Sequence, residues 1–233
     1  MKKFLLSVFV GIAVLSTLAA QNTDDPFAWK DQPQYSTYTI FNLGILPKIP
    51  GWQDRTETVG LKTGWPVVTG QQATMTGFEC SWVYSGSAYM TGCQASMLMN
   101  HHLYGIGFQP AIVMNYSMKS FEGMQASCVF NYANNLRGVQ AGALNIANYM
   151  VGFQPGVIGN ITQKADGLQA GLFSITQKLD GCQLGGFNYA KDSSEGFQIG
   201  FFNIAKEKGL QFGFINIIPG GKLPFMILFN YSE

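Results

Sequence analysis

The sequence predicts an all-β protein, a β-solenoid-like stack of about ten repeats of 13–16 residues with N- and C-terminal caps. Three observations carry that expectation. One phrase, Gly–apolar–Gln–small or apolar–Gly–apolar–apolar–Asn–apolar–Ala, recurs as GVQAGALNIA at Gly138, GLQAGLFSIT at Gly167, GCQLGGFNYA at Gly181, GFQIGFFNIA at Gly196 and GLQFGFINII at Gly209, with a looser copy at Gly152. The opening glycines fall at 77, 92, 107, 123, 138, 152, 167, 181, 196 and 209, spaced by 15, 15, 16, 15, 14, 15, 14, 15 and 13 residues. Within each unit the apolar residues are β-branched or aromatic and no helical spacing persists.

An antiparallel β-meander or outer-membrane β-barrel is the alternative, because a strand of about ten residues is close to what a membrane-spanning strand requires. Preserved identity separates the two. In a stack of parallel coils Gln140, Gln154, Gln169, Gln183, Gln198 and Gln211 lie one above another, as do Asn145, Asn188, Asn203 and Asn216. Their amides can then bond along the stack, which gives each coil a reason to keep the same residue. In a meander the same position lands at opposite ends of neighbouring strands, and the natural repeat would be a hairpin. Read with strict alternation, the unit at Gly196 puts Asn203 on one face and Gln198 on the other, so neither face is a clean lipid wall. The second glycine (Gly142, Gly156, Gly171, Gly185, Gly200, Gly213) marks a bend where the inward set changes phase.

Taken in order, residues 1–20 read as a secretory signal peptide: Lys2 and Lys3, an apolar run from Phe4 to Leu18, then Ala19 and Ala20. That run is short for a membrane span, and mature protein is expected to begin near Gln21, outside the cytoplasm. Residues 21–76 form an irregular N-terminal cap punctuated by Pro26, Pro33, Pro47 and Pro50, with a weak copy of the repeat at Gly60. Residues 77–218 are the β-repeat domain. Its turns (QKAD, QKLD, KDSSE, KEK) hold nearly all of the charge of the later units, whose first ten positions carry none and are expected to be at least partly shielded from water. Residues 219–233, opening on Pro219–Gly220–Gly221, form a C-terminal capping strand.

Composition narrows the function classes. Net charge is +1 and charged residues are 12% of the chain, so nucleic acid is not an implied partner. Aromatics at 14% and 28 glycines suit many short strands with tight turns rather than disorder.

On the repeated phrase from Gly77 to Asn230, and on the ending GFINIIPGGKLPFMILFNYS, the chain resembles the uncharacterised bacterial surface repeat-containing proteins. The resemblance implies an exported β-repeat protein of the cell envelope or surface with no established activity. Units before Gly138 depart from the pattern, with Glu79 and Ala111 at key positions.

Chemistry-bearing residues are few. His101 and His102 are the only histidines; as strand neighbours they point to opposite faces and cannot share one ion, and a polar turn is the expected setting. Cys80, Cys93, Cys128 and Cys182 are even in number, which an exported chain permits to pair. Their spacing suggests mostly buried free thiols, with Cys80–Cys93 the one conceivable bridge. Asp166, Asp180, Asp192, Glu195 and Glu207 lie in turns beside lysines as a solvated rim. Trp65, Trp82 and Tyr84 are expected to pack in the core. No catalytic, cofactor-binding or metal-binding residue is assigned and no cofactor is implied. The functional expectation is a non-enzymatic structural or interaction scaffold at the cell envelope, with an unidentified surface or envelope partner and a compatible outer-membrane association. A small outer-membrane barrel acting as channel or anchor is the alternative.

Overall fold

A computed structural model describes residues 37–45, 56–68, 70, 73–192, 196–206 and 208–232. The expected signal peptide therefore lies outside the described residues. The chain divides into two compact units, Met1–Cys128 and Val129–Glu233. Both are stacks of parallel coils, so the chain is a β-solenoid and the barrel alternative is overturned.

In the N-terminal unit, β1 (Thr37–Gly44), β2 (Thr56–Gly64), β4 (Thr74–Ser81), β5 (Tyr84–Ser96), β6 (Met99–Ala111) and β7 (Met114–Ser127) pair in parallel, each with the next. The short β3 (Val67–Val68) pairs in parallel with β5. Register follows the opening glycines: Gly60, Gly77, Gly92, Gly107 and Gly123 stand in one column. Coil stacking thus begins before Gly77, within the stretch expected to be an irregular cap. In the C-terminal unit, β8 (Phe130–Asp192) runs through several coils without interruption, followed by β9 (Phe197–Ala205) and β10 (Gly209–Ile217), again in parallel. The last strand, β11 (Phe225–Ser232), reverses direction and pairs antiparallel with β10, covering that edge.

The opening glycine is required twice over. Gly107 has φ of 130°, where a side chain is strained, and a Cβ there would fall 2.0 Å from the carbonyl oxygen of Gly92 in the coil below. Backbones stack too closely at this corner for any side chain, which explains why this glycine recurs more faithfully than any other residue.

The interior of each coil is polar. In the coil at Gly196, Gln198, Asn203 and Ala205 are buried, while Ile199, Phe201 and Phe202 are exposed. The inward set therefore changes phase after Gly200, as the second glycine suggested. Strict alternation, which would put an amide on each face, does not hold: the phase change turns both amides inward, and the outer wall is left apolar. Buried hydrophobics fill the far side of each coil: Met75, Met90 and Phe121 in the first unit, Leu136, Met150, Ala165 and Leu179 in the second.

Candidate functional site

Two features could carry function: the polar interior and the apolar exterior. The interior is a pair of amide ladders. Gln154 donates to Gln140 at 2.8 Å, Gln169 to Gln154 at 2.9 Å, Gln183 to Gln169 at 3.0 Å, Gln198 to Gln183 at 2.7 Å and Gln211 to Gln198 at 2.8 Å. Every one of these bonds runs from Nε2 to the Oε1 of the preceding coil. Asparagines run the opposite way: Asn131 donates to Asn145, Asn145 to Asn160, Asn188 to Asn203 and Asn203 to Asn216, all within 2.8–3.0 Å. The two ladders thus set their amide dipoles in opposition, which limits the field built up along the stack. Each amide has a second proton. Asparagines spend it on the next coil's corner, as in Asn145 to the Pro155 carbonyl and Asn203 to the Phe212 carbonyl, both 2.9 Å. Glutamines reach across the lumen, as in Gln198 to the Ile204 carbonyl at 3.3 Å.

In the C-terminal unit serine replaces asparagine at Ser174. Its hydroxyl is too short to bridge coils, and both Ser174 Oγ and Asn188 Oδ1 are buried without a partner.

In the N-terminal unit the glutamine column reads Asn42, Lys62, Glu79, Gln94, Gln109, Gln125. Gln125 donates to Gln109, Gln109 to Gln94, and Gln94 to Glu79 Oε1 at 3.2 Å. A ladder in which every amide donates toward the N-terminus needs an acceptor at its end, and a carboxylate is acceptor-only. Lys62 balances its charge: Nζ lies 3.4 Å from Glu79 Oε2, with both side chains fully buried, and also donates to Ser87 Oγ at 2.8 Å and the Gly86 carbonyl at 3.1 Å. Ser87 in turn donates to Glu79. The departure at Glu79 noted in the sequence is therefore a ladder terminus.

Lys62, Glu79, Ser87 and a histidine look like the makings of an acid–base or nucleophilic site, but all four are buried. His102 sits on β6 rather than in a turn, which corrects the expected setting. It points inward because it occupies the column between Ser87 and Ser117. Gln109 Nε2 donates to its Nδ1 at 2.8 Å, which leaves the ring proton on Nε2. That atom has no partner and lies beside the Phe121 ring, 5.3 Å between centroids. Burial first, then the neighbouring His101, pushes its pKa down to about 3, so the ring is neutral. His101 faces the other way, half-buried between Tyr84 and Tyr116, and burial lowers its pKa as well. The two do not converge on a site, and no cluster of three potential metal ligands occurs among the described residues.

All four cysteines are free thiols. None is fully buried, contrary to expectation: Cys80, Cys93 and Cys182 are half-buried and Cys128 is exposed, because each occupies an outward position on its coil. Cys80 stands opposite Ala95 and Cys93 opposite Phe78, a two-residue offset, and Cys80 Sγ donates to Thr63 Oγ1 at 3.4 Å. Burial, then Cys80, raises the pKa of Cys93; burial also raises that of Cys182. Trp65 and Trp82 are likewise corrected. They sit at outward corners, 60% and 56% exposed, packed edge-to-face at 4.6 Å. Tyr84 is half-buried. At the rim Asp166 and Asp192 are exposed, and Lys178 lies 3.9 Å from Asp180; Glu195 and Glu207 fall outside the described residues.

The exterior of the N-terminal unit carries an apolar groove of about 610 Å³ over the glycine column, walled by Ile40, Phe41, Leu61, Phe78 and Cys93. The corner of the C-terminal unit bears a ridge of exposed side chains, including Leu172, Phe173, Phe201, Phe202 and Phe214.

The chain matches no family model, no curated protein and no solved structure. The polar groups of the interior are closed off from solvent and bond along the stack of coils. The exterior is where a partner would meet the molecule.

Proposed function

We propose that this chain is an exported, non-enzymatic scaffold of the bacterial cell envelope, which presents the outer wall of its solenoid to an envelope partner. One observation carries the reading. The cluster of acid, base and hydroxyl groups (Lys62, Glu79, Ser87, His102) is at most 2% exposed and committed to the ladder, while the solvent-facing wall is largely apolar. A catalytic group must reach its substrate, and these do not. Large exposed apolar surface, by contrast, marks an interaction face. The signal-like N-terminus and the resemblance to surface repeat proteins support export.

Export and exposure are tested together in the native host. N-terminal sequencing of the mature protein is expected to begin near Gln21, with labelling by a membrane-impermeant amine reagent on intact or outer-membrane-permeabilised cells. An intact N-terminus on a protein shielded from the reagent would overturn the reading.

A further inference from the structure

In the C-terminal unit, charge and apolarity are partitioned by position within the coil. From Gly138 onward, the outward residues of the first ten positions are Val, Leu, Ile, Phe, Ala, Pro and Gly, with Cys182 and Tyr189 the only others. Charged side chains appear only in the turns, as Lys164 and Asp166, Lys178 and Asp180, Lys191 and Asp192. Both flanks of the coil share this character. Gln183, Gln198 and Gln211 each reach across the lumen to the carbonyl six residues on, so the two strands of a coil lie back to back around the corner. Their outer surfaces face away from each other and meet at a ridge where two successive residues point outward. Val157 is 81% exposed on that ridge, and Phe201 stacks on Phe214 of the next coil at 5.0 Å.

We infer that this ridge is a wedge that inserts into the hydrocarbon of a lipid leaflet. Two observations select lipid over a folded partner. A protein interface carries about one hydrogen bond per 100–200 Å², yet on these outward positions the only side-chain hydrogen-bonding groups are the Tyr189 hydroxyl and the Cys182 thiol. Moreover, the ridge is apolar on both flanks, and acyl chains wrap both sides of such a ridge without needing a groove shaped to it. The charged turns then stay in the headgroup layer, as the polar face of an interfacial helix does. Lysines and aspartates alternate there, so insertion follows apolar area and does not depend on anionic lipid. This inference rests on the scaffold reading and names its partner.

The test is flotation of the full chain with zwitterionic phosphatidylcholine vesicles at low salt and at 1 M salt. Flotation that salt does not weaken is expected. The triple variant Leu172→Ser/Phe201→Ser/Phe214→Ser should float at least tenfold less while keeping the far-UV circular dichroism of the parent. Every variant shares the same N-terminus, so loss assigns binding to the ridge, and equal flotation of parent and variant overturns the wedge. So does failure of the parent to float, or light scattering that shows a lipid-free dimer which the triple variant abolishes. If the triple variant does not fold, Val157→Ser and Phe201→Ser alone should each weaken flotation several-fold, and no change in either overturns the proposal. Flotation is independent of export, so a cytoplasmic protein that floats would sink the scaffold reading and leave the wedge standing.

Discussion

The two units build the same coil with different corners. From Gly77 to Gly123 three residues point outward at the corner (Trp82, Val83, Tyr84; Met97, Leu98, Met99), and the residue before them is Ser81, Ser96, Ala111 or Ser127. From Gly167 only two point outward (Leu172, Phe173; Phe201, Phe202), and the residue before them is always glycine. Removing one residue tightens the corner. At Gly185 a Cβ would lie 1.9 Å from the Gly171 carbonyl oxygen, and at Gly213 it would lie 2.4 Å from Asn203 Nδ2. The looser corner tolerates a side chain and the tighter one does not, while asparagines pin the next coil at both, as Asn100 does through the Pro110 carbonyl at 2.6 Å and Asn203 through the Phe212 carbonyl at 2.9 Å. The Gly152 coil shows the same rule from the other side, since its inserted Gly159 gives it a three-residue corner again.

The units also fill the lumen differently. An amide column satisfies itself indefinitely, but its first member needs an acceptor, and Glu79 with Lys62 supplies one at the cost of burying two charges. Breaking that pair gives the largest expected effect. Glu79→Gln leaves the Lys62 ammonium buried without its counter-charge and should lower stability by about 3–5 kcal/mol in urea unfolding. The double variant Lys62→Gln/Glu79→Gln extends the ladder by two amides and should regain most of the loss. If it is as unstable as the single variant, the column is not the interchangeable slot described.

The corners come next. Gly200→Ala should cost about 3 kcal/mol or more, because backbone and the Asn188 amide both occupy the space. Ser96→Gly, at the equivalent place in the looser corner, should change stability by less than about 1 kcal/mol. Equal losses on thermal melting would remove the distinction between the two corners.

The last difference is a pH dependence carried by the buried histidine of the first unit. His102 is neutral when folded, with its pKa near 3, and takes up a proton when unfolded at about 6.5. Its contribution is therefore complete above about pH 6.5 and is lost as pH falls toward 3, at roughly 1.4 kcal/mol per pH unit. His101, also lowered, adds in the same direction. His102→Gln, which puts an amide in the same column, should flatten the urea midpoint between pH 6.5 and 4 relative to the parent. An unchanged slope would place the proton uptake elsewhere.

What the sequence determined alone was the repeat, its strand character and its parallel stacking. A side chain that bonds only to its own copy must recur at one position, and Gln140 to Gln211 and Asn145 to Asn216 do so. The bend at the second glycine was legible too, since no other residue suits so close an approach. Only the tertiary structure decided which way the residues face. Alternation along a strand is a local rule, and the phase change at each corner overrides it, so a unit that reads as mixed on both faces is in fact amide inside and apolar outside. The same cause moved Trp65 and Trp82 out of the core and His102 into it. Glu79 was visible as an exception, but its meaning depended on the direction in which every amide of the column donates. That direction is set by the coil below, which no single repeat contains.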